Sequence, residues 1–369
     1  MSLPRNNSGR LHHLDALRGI AALSVAVVHG LEVFLTNEFL VLMGRPAVTF
    51  FFLLSGYVLG KSLAKTEGHV LADAAGYCVR RVFRLYPAIF VTLVIASVLA
   101  KFYVVPGPSS EATEWFRLCL FKATTISSLY DYIGSFRLYY LRLDPPLWSL
   151  QVEFVCSFLL PLLVWPTRRF RVARMLMLGA LAWLKIVRPG ILLGMTVYLF
   201  EFYLGYLAWS FTASVSKIGP KKTMWLIVLS FFGTLWWMFF WDRGGVGFVS
   251  IFGMAVFLAL LGPCKWERIK SILQTPVLQF LGRISYSLYL IHFPILLICF
   301  SVGWGRMNPG WGGSQAALAI LLMMLPISMI LAVGIDRFVE RPFNRLGHVL
   351  SNLLGNATRS ISGKTATPG

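Results

Sequence analysis

The sequence predicts an all-α polytopic membrane protein, with about ten transmembrane helices and both termini cytoplasmic. Composition is the first reason. The chain is 57% hydrophobic and 13% charged, whereas ordinary soluble domains run at roughly 45–50% and about 25%. The second is the number of long apolar runs, more than one or two soluble domains of a 369-residue chain could bury. The third is the placing of Lys and Arg, which cluster between those runs as topology signals do.

In chain order, the expected spans fall near 14–35, 46–62, 85–105, 147–165, 175–187, 191–211, 223–240, 247–263, 284–302 and 315–336. The first run is longer than a signal-peptide core and carries polar residues, so it is expected to be a retained helix. The fifth is short and meets the sixth at Arg188-Pro189-Gly190, a turn that would make the two a membrane hairpin. With the N-terminus inside, most of the basic residues fall on the inner side: Arg5 and Arg10, then Lys61 to Arg84, Arg168 to Arg174, Lys217 to Lys222, Lys265 to Arg283, and the C-terminal segment. Only the outer connection at about 106–146 departs from this bias. Its length, its Tyr and Trp residues and its mixed charges suggest a structured cap. Residues 1–345 are expected to form the transmembrane domain. Residues 346–369, ending in a stretch rich in Ser, Thr, Gly and Asn, are expected to be a disordered cytoplasmic tail.

The net charge of +19 would suggest nucleic acid in a soluble protein. Here membrane topology accounts for it, and no zinc-finger spacing or base-reading helix accompanies it, so nucleic-acid binding is set aside. The five cysteines, Cys78, Cys119, Cys156, Cys264 and Cys299, are odd in number and far apart; they read as packing residues, with no metal site.

Ionisable residues inside a bilayer are costly and mark functional sites by default. The first span holds Asp15, Arg18, His29 and Glu32. Arg18 and His29 are close to three full turns apart, on one face and about 16 Å apart along the axis. Each also has a plainer reading: Arg18 as a side chain snorkelling at the cytoplasmic boundary, His29 as a packed histidine bonded within the bundle. Arg81 and Arg84 share a face at the mouth of the third span, a spacing suited to a polyanion such as nucleotide phosphates. From spacing alone, topology and contact with anionic lipid are the favoured explanation. Glu153 lies more than a turn into the fourth span and wants a cation or a proton, unless it still reaches water. His292 reads as packing, and Ser55-Gly56 as a close backbone approach or a helix break.

Taken in order, these segments resemble the acyltransferase 3 family of membrane proteins. Leu14 to His29 is similar to its opening helix with Arg-x10-His spacing, and Phe50 to Tyr57 (FFFLLSGY) to its Ser-Gly-aromatic segment. Arg80 to Pro87 resembles its Arg-x-x-Arg segment, and Pro146 to Pro161 its Trp-Ser-Leu-x-x-Glu helix. Gly282 to Pro294 (GRISYSLYLIHFP) and Val339 to Pro342 (VERP) resemble its closing motifs. Two departures stand out. Where the family commonly has Gly-Val-Asp, this chain has Ala47-Val48-Thr49. It also ends without the extracytoplasmic SGNH-hydrolase-like domain of some members, so that any second transfer step is expected of a separate glycan-assembly protein.

The resemblance implies a ten-helix bundle in the cell membrane, here expected to be a bacterial inner membrane. It would move an acyl group, commonly acetyl, from cytoplasmic acyl-CoA to a hydroxyl of a carbohydrate such as an exopolysaccharide or lipopolysaccharide unit. Arg18, Arg81 and Arg84 would then hold the CoA donor. His29 would be the general base, or the site of a covalent acyl intermediate, with Glu153 or Glu32 orienting it and Glu153 preferred. The rival class is a transporter or flippase of a glycan or lipid-linked sugar; an internal repeat would favour it, and none is found.

Overall fold

The computed structural model describes residues 11–35, 38–63, 70–102, 112–124, 144–187, 194–242, 246–263, 267–303 and 313–364. Every regular element among them is a helix: α1 His12–Leu31, α2 Glu38–Leu63, α3 Val70–Phe102, α4 Glu114–Thr124, α5 Trp148–Thr167, α6 Arg171–Val187, α7 Leu199–Ser210, α8 Pro220–Phe240, α9 Phe248–Leu261, α10 Glu267–Leu273, α11 Pro276–Gly303, α12 Gly313–Ile335 and α13 Arg341–Lys364. Short 3-10 segments, Pro145–Leu147 and Gly194–Tyr198, open α5 and α7, a single helical turn, Thr212–Val215, follows α7, and a π-helical stretch, Asp336–Glu340, joins α12 to α13.

Seven segments among the described residues are long and apolar enough to cross a bilayer: His12–Leu31, Gly44–Leu63, Ala75–Lys101, Pro145–Thr167, Pro220–Phe240, Pro276–Gly303 and Gly313–Leu354. The chain is therefore an all-α, multi-pass membrane protein. The other three expected spans are shorter helices: α6 has 17 residues, α7 has 12 and α9 has 14. A 12-residue α-helix is only about 18 Å long, short of the roughly 30 Å hydrocarbon core. It is the 3-10 segment in front of α7 that lengthens that element.

Two glycine pairs set the helix crossings. A side-chain carbon on Gly19 of α1 would strike the backbone at Leu281 and Gly282 of α11, and one on Gly282 would strike Asp15 and Ala16. Gly56 of α2 and Gly205 of α7 face each other in the same way, against the backbones of Phe202 and Leu53. The Ser55-Gly56 pair thus marks a close helix approach, where small residues let backbones pack without a side chain between them.

The buried apolar residues form two clusters. One joins α2, α5, α6, α7 and α9 around Tyr57, Phe202 and Tyr203. The other surrounds α11, with α3, α4 and α12, around Leu288, Ile291 and Phe293. Three helices pass from one cluster to the other: α1, α5, and α3, whose Tyr77 belongs to the first and whose Leu85 and Ile89 belong to the second. In α1, Leu14 and Ala16 belong to the first and Val25 and Ala26 to the second; in α5, Leu150 belongs to the second and Cys156 and Leu160 to the first. Polar groups carried by α1 and α5 therefore meet at the seam. At the periphery, α8 turns Trp225, Leu229, Phe232 and Trp236 outward, as a lipid-facing helix does.

α13 continues past residue 346, the start of the expected tail, because it packs along α3: Arg80 bonds Ser351 Oγ, and Gly347 leaves room for Phe83. Of the expected outer cap, α4 is described; residues 125–143 lie outside the described residues, as does the Arg188-Pro189-Gly190 turn. Cys78, Cys119, Cys156 and Cys299 are free thiols.

Candidate active site

Two chambers lie at the seam between the clusters, and the sequence-derived candidates divide between them. The larger, of about 930 Å³, holds His29 and Glu32 from α1, Thr49 from α2, Trp115 from α4 and Lys185 and Glu201 from α6 and α7. The smaller, of about 40 Å³, holds Arg18 from α1, Ser55 from α2, Arg84 from α3 and Glu153 from α5. Val48, Phe52 and Tyr289 line both.

His29 is held by three helices. On one side it meets His292 of α11, with Nδ1 2.9 Å from His292 Nε2. On the other, the indole of Trp115 stacks on it at 5.5 Å between ring centroids. Phe293 presents an edge at 5.7 Å. Trp115 reaches this place because α4 is tied to the end of α1: Thr113 N–H donates to Val33 O and Thr113 Oγ1 donates to Glu32 O.

The hydrogen bonds fix the tautomers. His292 Nδ1 lies 3.2 Å from the Leu288 carbonyl oxygen, which can only accept, so Nδ1 carries the proton and Nε2 the lone pair. His29 Nδ1 must then donate to His292 Nε2. This leaves the lone pair of a neutral His29 on Nε2, the nitrogen with no hydrogen-bond partner among the described residues.

Glu153 is not the partner of His29. Its carboxylate lies 3.5 Å from Arg81 and accepts a 3.3 Å hydrogen bond from Ser55 Oγ. The hydrogen-bond partner of His29 is His292 where a carboxylate was expected, and the reason is helical geometry. Glu153 projects from α5 into the small chamber, whereas His292 shares the α1–α11 interface with His29. Arg81 is 6% exposed behind Glu153, and Arg18 is 3.8 Å from Asp15. Arg18 and Arg84 line the small chamber together with Glu153, which was expected beside His29; Glu32 lines the large chamber with His29.

Three features were missed from sequence. His292 was read as packing, although the rule that flags intramembrane ionisable residues applied to it as much as to His29. Trp115 carries no local signal, since only the fold of α4 against α1 brings it to the imidazole. Lys185 and Glu201 form a 2.5 Å ion pair in the large chamber, with Glu201 2% exposed and Lys185 over the Tyr198 ring at 5.2 Å. Their separation across the α6–α7 connection hid the pair. The VERP motif has a structural place: Glu340 accepts a 3.0 Å hydrogen bond from Ser287 of α11. Thr49, at the position where an acidic residue is common in the resembled family, lines the large chamber.

Several known proteins are similar to this chain in sequence. A protein of Staphylococcus aureus (strain COL) named as a candidate O-acetyltransferase is 25% identical over 379 residues, covering 90% of this chain and 57% of the relative. Nodulation protein 10 of Rhizobium leguminosarum bv. viciae is 26% identical over 332 residues, 81% of this chain and 86% of its own length. The peptidoglycan O-acetyltransferase OatA of Listeria monocytogenes is 24% identical over 373 residues, 91% of this chain and 56% of the relative. The chain thus spans little more than half the length of the staphylococcal and listerial proteins. No solved structure gives a significant match. The acyltransferase 3 family model, described as an acyltransferase domain, matches residues 11–333, which contain both chambers, and the chain belongs to that family.

Proposed function

We propose that this chain is an integral membrane O-acyltransferase that moves an acyl group, acetyl first among them, from acyl-CoA to a hydroxyl of a carbohydrate acceptor. Ten crossings are proposed, the three shorter helices included, with both termini cytoplasmic and residues 1–345 as the transferase domain. The observation that carries the reading is the His29–His292 hydrogen bond at 2.9 Å, which leaves a basic nitrogen, His29 Nε2, on a histidine that lines a 930 Å³ chamber. Family membership speaks for transfer over transport. The listerial relative's named substrate, peptidoglycan, speaks for a sugar hydroxyl as acceptor.

On this reading Arg18, Arg81 and Arg84 hold the CoA phosphates and the head of the pantetheine arm, guanidinium groups being suited to phosphate oxygens. The acyl end reaches past Val48, Phe52 and Tyr289 into the large chamber. There His29 Nε2 takes the proton of the acceptor hydroxyl as its oxygen attacks the thioester carbonyl. The growing imidazolium keeps its hydrogen bond to His292 and gains from the face of Trp115, a cation–π contact. Glu153 acts one step away, by holding Arg81 in place. Lys185 and Glu201 offer a donor and an acceptor to the acceptor's polar groups.

The test is turnover of radiolabelled acetyl-CoA by the purified chain in nanodiscs, with crude cell-envelope glycan as acceptor. His29→Ala should lose turnover by about 10²–10⁴-fold and still bind CoA. Arg81→Ala/Arg84→Ala should lose CoA binding. Parental turnover in His29→Ala removes the general base from this account; no CoA binding and no turnover by the parent removes the enzyme.

A further inference from the structure

We propose that Tyr289 is a further catalytic residue, its hydroxyl donating the hydrogen bond that stabilises the negative charge on the thioester carbonyl oxygen, with Ser149 positioning it. The proposal rests on the acyl-transfer reading above and names a group that reading leaves open: what receives the charge while His29 receives the proton.

The first argument is place. Of the three residues that line both chambers, Val48 and Phe52 are apolar, and Tyr289 alone carries a hydrogen-bond donor. A donor molecule anchored among the arginines and presenting its acyl end to His29 must pass its thioester by this wall. Tyr289 is also three residues before His292 on α11, so the two side chains share a face, with ring centroids 5.7 Å apart. The proton-accepting pair and the phenol are therefore presented by neighbouring turns of one helix.

The second argument is hydrogen-bond accounting. The Tyr289 hydroxyl lies 2.7 Å from Ser149 Oγ and 3.2 Å from the Pro146 carbonyl oxygen, and Ser149 Oγ lies 3.1 Å from that same carbonyl. The 2.7 Å contact requires one hydroxyl to donate to the other, which leaves a single proton for the Pro146 carbonyl, and each bond to that carbonyl is long. When Ser149 donates to the phenol oxygen, the Tyr289 proton is free to leave Pro146 for a better acceptor. A developing oxyanion is such an acceptor, because charge-assisted hydrogen bonds are shorter and stronger than neutral ones. The phenol is 5% exposed, so little water screens the interaction.

The step balances. The acceptor oxygen bonds to the thioester carbon and its proton passes to His29 Nε2. The carbonyl π electrons move to oxygen and stay there as the oxyanion, to which Tyr289 O–H donates its hydrogen bond. Collapse restores the carbonyl, breaks the C–S bond and expels the CoA thiolate, which takes the proton from His29 to leave as the thiol.

Tyr289→Phe removes one oxygen and keeps the ring that packs between α5 and α11, so it separates the two roles. With acetyl-CoA as donor, the expected result is a fall in kcat of about 10²–10³-fold, with CoA affinity and melting temperature close to those of the parent. The acid limb of the pH profile, set by His29, should remain. Ser149→Ala should give a smaller fall of the same kind. Turnover of Tyr289→Phe within about threefold of the parent overturns the proposal, since loss of an oxyanion donor costs far more. So does a loss that appears in CoA binding or melting temperature while kcat holds, because that is what a purely structural hydroxyl would give. In both cases an active parent and an inactive His29→Ala leave the acyl-transfer reading standing. A parent with no turnover at all ends both.

Discussion

The two chambers are charged in opposite manners. The large one is lined by Glu32, Glu114 and Glu201 against Arg45 and Lys185; Lys185 is paired with Glu201, and His29 shares a hydrogen bond with His292. The small one is lined by Arg18 and Arg84 against the single carboxylate of Glu153, with Arg81 paired to Glu153 from behind and Asp15 beside Arg18. The second arrangement carries an excess of positive charge that wants an anion. The volumes differ in the same sense, about 930 Å³ against about 40 Å³. One chamber has room for a sugar-sized acceptor, and the other admits only a thin arm between guanidinium groups.

The largest effect that would break this contrast is expected at Glu153. Glu153→Gln leaves Arg81, 6% exposed, without its counter-charge, and removing one partner of a buried pair costs up to about 3–5 kcal/mol. Little folded protein should survive detergent extraction. Adding Arg81→Met should restore folding but not CoA affinity, measured by equilibrium binding. A Glu153→Gln protein that is stable and binds CoA normally would mean that the small chamber does not depend on the pair.

A smaller effect, confined to the large chamber, is expected at His292. His292→Ala should slow turnover by about tenfold or more, because nothing then selects the His29 tautomer with its lone pair on Nε2, and CoA affinity should not change. His292→Gln should recover part of the loss, since its amide oxygen can accept the same hydrogen bond from His29 Nδ1. Equal losses in the two variants would argue that His292 only packs.

The smallest effect lies beside the α5 entrance, where Asp144 is fully buried and neither carboxylate oxygen has a hydrogen-bond partner among the described residues. Burial holds this carboxyl well above the usual carboxylate range. In the unfolded chain it ionises near 3.9, so the folded state loses stability as pH rises from there towards the raised folded value. Asp144→Asn avoids that loss. It should raise the melting temperature, with a gain larger at pH 8 than at pH 5, for a difference of about 1–3 kcal/mol at most. A lower melting temperature at pH 8 would show that the carboxylate has a partner in the folded protein.

Much of the fold could be read from the chain, because a bilayer imposes a simple rule: every backbone polar group must be satisfied within the segment, so long apolar runs become helices. The expected spans at 14–35, 46–62, 85–105, 147–165, 223–240, 284–302 and 315–336 each overlap one of the seven long apolar segments. α6 was legible as short, whereas α7 and α9 were legible as apolar but not as short, since hydropathy does not register a 3-10 start. Gly56 was legible as a close approach, but its partner Gly205 was not. Periodicity shows which face of a helix is small, and says nothing of which helix it meets.

The sequence by itself determined that this protein lives in a membrane and that Arg18, His29, Arg81, Arg84 and Glu153 are the unusual residues in it, because a charge or an imidazole in hydrocarbon is expensive wherever the helix goes. Pairing was decided by tertiary structure alone. The crossings of α1 with α11 and of α2 with α7 are set by backbone contacts at glycines. Those crossings give His29 to His292 and leave Glu153 to Arg81, residues separated by 263 and 72 positions in the chain. No local propensity carries that information, since a hydrogen bond between two helices depends on their rotation and depth, which only packing fixes.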